Sequence, residues 1–227
     1  VLVAAAGNDR TPNVPCLRLP GGPLYPAAHP WVVGVMATHA NSDGVGDYLT
    51  GFSNWDCVPD NGIEYEVMAP GVDVWSTLPN DGYAAWDGTS MAAPVVSAIA
   101  ALVRTNWPNK SIYTSRFVMG QVAATGETRS PYHVIDALRA LTVTPEPWLT
   151  YEEHWLFDDV AQNTPNDGDG RVDAGETVEL AIVVRNRWGR ANNVVATLST
   201  PAGASAADPY VALTTPSVDY GAVGSWS

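Results

Sequence analysis

The sequence predicts an α/β fold, a mostly parallel sheet with flanking helices, followed by a small β-sandwich. Three observations carry this. Up to about Thr142 short apolar runs alternate with helical segments, the order that buries a parallel sheet between helices. The run from Met91 to Val103 is apolar on every face, as expected of a helix buried in an α/β core. Beyond Thr144-Pro145-Glu146-Pro147 the pattern changes to alternating apolar and polar residues separated by Gly, Asn and Pro.

Taken in order, residues 1–6, 31–37, 66–68 and 72–76 are short apolar runs and read as strands. Residues 90–104 form the apolar helix. Pro94 lies within about its first turn, where little or no hydrogen bonding is lost. Residues 111–123 and 132–141 carry a more amphipathic pattern and read as two further helices. Thr144 to Pro147 has the composition of a linker. Residues 177–186 and 194–199 alternate like half-buried strands, in the manner of an immunoglobulin-like sandwich. The expected division is therefore 1–142, a linker at 143–150, and a sandwich at 151–227. The chain opens inside an apolar strand without the charged start of a signal peptide, and its last residues stop in mid-pattern. Both ends are thus expected to continue in a longer protein.

The 227 residues are 46% hydrophobic, enough to bury a core, and carry a net charge of −13 from 24 acids and 11 bases. That balance disfavours nucleic acid, whose phosphates need clustered Lys and Arg. It suits an extracellular protein, and one that binds cations. No apolar run approaches the roughly 20 residues of a membrane helix, so no membrane span is expected. Cys16 and Cys57 either form one bridge in an oxidising compartment or stay as small thiols.

Gly88-Thr89-Ser90-Met91-Ala92-Ala93-Pro94 opens the apolar helix. A serine there is held on a rigid element, with the positive end of the helix dipole beside any negative charge that forms. Gly88 lets a substrate backbone approach closely. A lone Gly-Thr-Ser reads simply as a helix cap. Here the whole segment resembles the nucleophile segment of the subtilases, and Ala5-Ala6-Gly7-Asn8-Asp9 resembles their oxyanion-asparagine segment. The stretch from Tyr25 to Val35 resembles the substrate-pocket strand. Phe52-Ser53-Asn54 and Met68-Ala69-Pro70-Gly71-Val72-Asp73-Val74 resemble the next landmarks, in family order. The resemblance covers roughly residues 1–142, the C-terminal part of a subtilisin-like catalytic domain.

It implies hydrolysis of polypeptides through an acyl-enzyme, with Ser90 as nucleophile. The Asn8 carboxamide and the Ser90 backbone N–H would receive the oxyanion, and Gly88 would line the substrate cleft. The histidine common after the motif's proline is Val95 here, followed by Val96 and Ser97, which bears on helix packing more than on chemistry. Leu24 falls where many subtilases have glycine at the specificity pocket, so a narrowed pocket and a small P1 side chain are expected. The family's aspartate and histidine segments lie upstream of Val1. None of His29, His39, His133 and His154 sits in a matching context. Loss of the histidine costs subtilisin about a millionfold in turnover. The isolated chain is therefore expected to be inactive, with the upstream half of its own domain as its necessary partner.

Residues 151–179 hold nine acids against one base, Arg171. Within them Asp167, Asp169, Asp173 and Glu176 fall on positions 3, 5, 9 and 12 of an EF-hand-like loop, with Gly170 at the glycine position and Pro165 at position 1. This spacing predicts a calcium site, against the alternative of a solvated acidic turn. The segment also resembles, more loosely, the start of β-sandwich modules appended to secreted bacterial proteases. Two other functions remain consistent with the sequence. One is a non-catalytic subtilase homologue that binds or displays, and the other is an adhesion or docking role for the sandwich.

Overall fold

The computed structural model describes residues 1–12, 22–40, 47–56, 65–129, 132–158, 168, 171–199 and 212–225. In chain order the elements are β1 (Leu2–Ala5), β2 (Val32–Ala40), β3 (Asp47–Leu49), β4 (Val67–Pro70), β5 (Val74–Leu78), β6 (Gly82–Trp86), α1 (Thr89–Asn106), α2 (Ser115–Ala124), β7 (Glu127–Arg129), β8 (Tyr132–Val134), α3 (Ala137–Thr142), β9 (Leu149–Phe157), β10 (Glu179–Asn186), β11 (Ala191–Thr197) and β12 (Ser217–Val223). The fold is α/β, as the sequence predicts.

The main sheet runs β1-β2-β4-β8-β7, with β3 on the end of β2. The neighbours β1, β2, β4 and β8 are parallel, whereas β7 and β3 are antiparallel to their partners. A parallel strand covered on both faces has no solvent side, which is why β2 reads as a continuous apolar run. Its Val33, Val35 and Ala37 pack with Val67 and Ala69 of β4 against α1 and α2. Met36, Met68 and Val134 face the other way, into a second cluster with Ala6, Ala27, Ala28 and Tyr65. The sheet thus carries a core on each side and holds β1 and α1 side by side.

Two expected helices start later than their patterns suggest. α2 begins at Ser115 because the Thr114 side chain accepts from Phe117 N and caps it. The stretch 132–141 is not one helix. Residues 132–134 form strand β8, and α3 starts at Ala137 where Asp136 accepts from Arg139 N at 2.9 Å. The all-round apolarity of α1 also misleads: Thr89, Ala92, Val96, Ile99, Ala100 and Val103 are buried, whereas Leu102 is 49% exposed. A groove of about 510 Å³ runs along another face of α1, lined by Val1 and Val3 together with Ser97, Ala101 and Arg104.

In the C-terminal region β9 pairs antiparallel with β10, and β11 with β12. Tyr220 OH donates to Ile182 O at 2.8 Å and Asn186 Nδ2 to Val223 O at 3.2 Å, tying the two ladders together. The expected linker at 144–147 has no regular structure, yet Glu146 O accepts from Gly189 N at 2.8 Å. The adjoining turn seats against α2. Gln121, fully buried, donates to Ala140 O and Val143 O and accepts from Trp188 Nε1 at 2.8 Å. A Cβ on Gly120 would lie 2.4 Å from Arg187 O, so only glycine lets the turn approach this closely. Arg187, 2% exposed, is satisfied by Glu152 and Thr150.

Candidate active site

Two elements bring residues far apart in sequence to one place. β1 delivers residues 6–9 to its carboxyl end, and the β5–β6 hairpin delivers residues 87–90 beside them. Asn80 and Asp81 turn that hairpin with φ of 62° and 60°, the left-handed pair a tight turn demands. Gly88 N then donates to Gly71 O at 2.8 Å and Asp73 N to the Asp87 carboxylate at 2.8 Å, fixing the entry to α1.

Thr89 is the knot between the two. It is 1% exposed, and its Oγ1 accepts from Gly7 N at 3.1 Å and donates to Asn8 Oδ1 at 2.9 Å. Thr89 N donates to the same oxygen at 3.0 Å. With Oδ1 committed twice, the Asn8 carboxamide has its amide nitrogen left for another acceptor.

Gly88 shows where that nitrogen lies. Its φ of 151° belongs to a region that side-chain-bearing residues rarely adopt. The point a Cβ would occupy is 3.2 Å from Asn8 Nδ2 and 3.7 Å from Ser90 N, with Met91 Sδ at 3.5 Å. Ser90 is the second residue of α1, so its amide has no carbonyl partner within the helix. Two N–H donors therefore flank one small space kept free by a glycine, beside Ser90, which is exposed. The structure brings Ser90, Asn8 and Gly88 together.

Leu24 joins them from the segment before β2. Its Cδ2 would sit 2.5 Å from a Cβ on Gly7, whose φ is 104°, so the leucine side chain occupies the space over the residue preceding Asn8. Leu24 N donates to Tyr65 OH at 3.2 Å. Burial raises the Tyr65 phenol above its ordinary pKa, the Leu24 amide opposes that rise and Asp56 adds to it.

The sequence reading missed Asn54 as more than a landmark. It is 2% exposed; its Nδ2 donates to Ala6 O, and its Oδ1 accepts from Asp9 N, Thr11 N and Thr11 Oγ1. An Asn in a Gly- and Ser-rich stretch reads as a turn residue, and only the tertiary fold shows that it braces a distant loop.

The four histidines are engaged elsewhere. His29 Nδ1 accepts from Trp31 N, His39 packs on Tyr48, His133 lies beside Thr128 and Trp148, and His154 bonds Tyr151. Of the expected calcium ligands, Asp167 and Asp169 lie outside the described residues, as do Cys16 and Cys57. Asp173 N donates to Glu176 Oε2 at 2.8 Å and Glu176 N to Asp173 O at 3.2 Å, so these two close a small turn. Among the described residues no group of three or more His, Cys, Asp or Glu is placed to hold a metal. No helix among them is long and apolar enough to cross a membrane.

The subtilase family model matches residues 1–165. The chain belongs to the subtilase family. Subtilisin DY of Bacillus licheniformis is 39% identical over 111 residues, 49% of this chain and 35% of that one. Alkaline elastase YaB of Bacillus sp. (strain YaB) is 33% identical over 144 residues, 57% of this chain and 33% of that one. This subtilase thus spans about a third of these two relatives. Among solved structures, a mutant of the protease domain of PatA gives a TM-score of 0.47 at 26% identity, covering 62% of this chain and 46% of that one. The prenylagaramide maturation protease PagA gives 0.46 at 26% identity, covering 62% and 49%.

Proposed function

We propose that this chain is the nucleophile- and oxyanion-bearing part of a secreted serine endopeptidase. The observation that carries the reading is the space flanked by Asn8 Nδ2 and Ser90 N beside the exposed Ser90. Ser90 Oγ attacks the scissile carbonyl carbon while its proton passes to a base. The carbonyl oxygen becomes an oxyanion that accepts from Asn8 Nδ2 and Ser90 N; the base passes its proton to the leaving nitrogen, collapse expels the amine, and water then cleaves the remaining acyl-Ser90 ester. Thr89 serves by holding Asn8 Oδ1, which turns the amide nitrogen toward the oxyanion.

The base and its aspartate come from the upstream half of the same domain. The outer edge of β1, where Leu2 is 66% exposed, and the neighbouring groove on α1 offer that half a seat. Leu24 over Gly7 supports a shallow pocket for a small P1 side chain. The full-length protein is expected to hydrolyse casein, with a serine-directed phosphonate or Ser90→Ala abolishing turnover, while the isolated 227 residues do nothing. Ser90-dependent hydrolysis by the isolated chain would show that the base is already present; an inert full-length protein would end the endopeptidase reading.

We read the β9–β10 and β11–β12 ladders as part of an immunoglobulin-like module after the catalytic part, and the spacing of Asp167, Asp169, Asp173 and Glu176 supports a calcium loop at its start. A chelator should lower the melting temperature of the protein and millimolar calcium restore it. Identical melting under both conditions removes the site.

A further inference from the structure

We propose that Asn54 is a positioning residue for the oxyanion donor Asn8, an inference that rests on the hydrolytic reading above. The loop carrying Asn8 leaves β1 through two positive-φ conformations, Gly7 at 104°, which glycine alone adopts readily, and Arg10 at 55°, a left-handed conformation that costs a side-chain-bearing residue. Such a path persists only when its surroundings over-determine it. Main-chain bonds supply part of that: Asn54 N donates to Gly7 O at 2.9 Å, Arg10 N to Phe52 O at 3.0 Å and Trp55 N to Thr11 O at 3.2 Å.

The Asn54 carboxamide supplies the rest from inside the loop. Its donor grips Ala6 O at 2.9 Å, on one side of Asn8. Its acceptor takes Asp9 N at 3.0 Å, Thr11 N at 3.0 Å and Thr11 Oγ1 at 3.2 Å, on the other side. The missing Cβ of Gly7 would lie 2.5 Å from Asn54 Nδ2, so the carboxamide is packed directly under the residue before Asn8. Asn8 is therefore clamped through its main chain by Asn54 and through its side chain by Thr89. Asn54 itself would touch no reacting atom. Its contribution is to keep Asn8 Nδ2 where charge develops, and a misplacement of about 1 Å can cost on the order of 10²-fold.

The test uses the full-length protein and compares kcat and KM on one peptide substrate for the wild type, Asn54→Ser, Asn8→Ala and the double variant. Asn54→Ser is expected to lower kcat by about 10- to 100-fold with KM little changed, because the lost interaction is made in the transition state. In the Asn8→Ala background the same change should cost less than about twofold, since residues acting as one unit are not additive. A merely structural residue would cost the same in both backgrounds, and that result overturns the proposal, as does a kcat unmoved by Asn54→Ser. If Asn54→Ser does not fold, Asn54→Asp retains the acceptor for Asp9 and Thr11, loses the donor to Ala6 O, and is read by the same criterion. A wild type without Ser90-dependent turnover overturns the hydrolytic reading and this proposal together, whereas an active wild type with additive variants overturns this proposal alone.

Discussion

The polar atoms around Asn8 are held by a dense set of hydrogen bonds. Thr89 takes the carboxamide oxygen twice, so the nitrogen is the group left to donate. The neighbouring Leu24 acts sterically: its Cδ2 fills space against Gly7. Leu24→Gly in the full-length protein is expected to raise kcat/KM for an aromatic P1 relative to alanine by about tenfold or more, the scale of discrimination a hydrophobic pocket offers per methylene or two. An unchanged ratio of the two specificity constants would place the pocket elsewhere. At this scale the sequence speaks only through its motifs, which single out Ser90 and Asn8 as candidates. It is silent where a residue acts through tertiary contacts, as at Thr89 and Asn54.

The elements show the same division for physical reasons. β2 and β4 were legible because a strand covered on both faces has to be apolar throughout. The β5–β6 hairpin escaped notice, although Asn80-Asp81-Gly82 is good turn chemistry and both non-glycine residues adopt positive φ. The stretch 132–141 read as one helix, but Asp136 caps α3 and leaves Tyr132, His133 and Val134 to pair with β7. The seat of the 186–189 turn on α2 left no trace in either segment, since it depends on Gly120 meeting the Arg187 carbonyl. Gly120→Ala places a Cβ 2.4 Å from that oxygen. An alanine in an exposed helix normally gains up to about 1 kcal/mol over glycine; here overpacking is expected to reverse the sign and destabilise by about 1–3 kcal/mol in urea unfolding. Gly22→Ala, which would meet nothing within 4 Å, is the control. A Gly120→Ala protein as stable as the wild type would mean the turn is not seated there.

For the whole molecule, the sheet order places β1 at one edge and leaves apolar surface on it and on the outer side of α1. The catalytic reading assigns that surface to the upstream half of the domain. The net charge of −13 weighs against nucleic acid as a partner but says nothing of how the C-terminal ladders sit, because composition carries no information about docking. The central claim is that Ser90 and Asn8 serve one reacting centre. Its most direct measurement is the rate at which a fluorophosphonate labels the full-length protein, with the adduct located by peptide mass mapping. Labelling is expected at Ser90, and Asn8→Ala should slow it by about 10²–10³-fold, the loss known for removing this donor from subtilisin. A label on another residue, or equal rates with and without the Asn8 carboxamide, would contradict the claim.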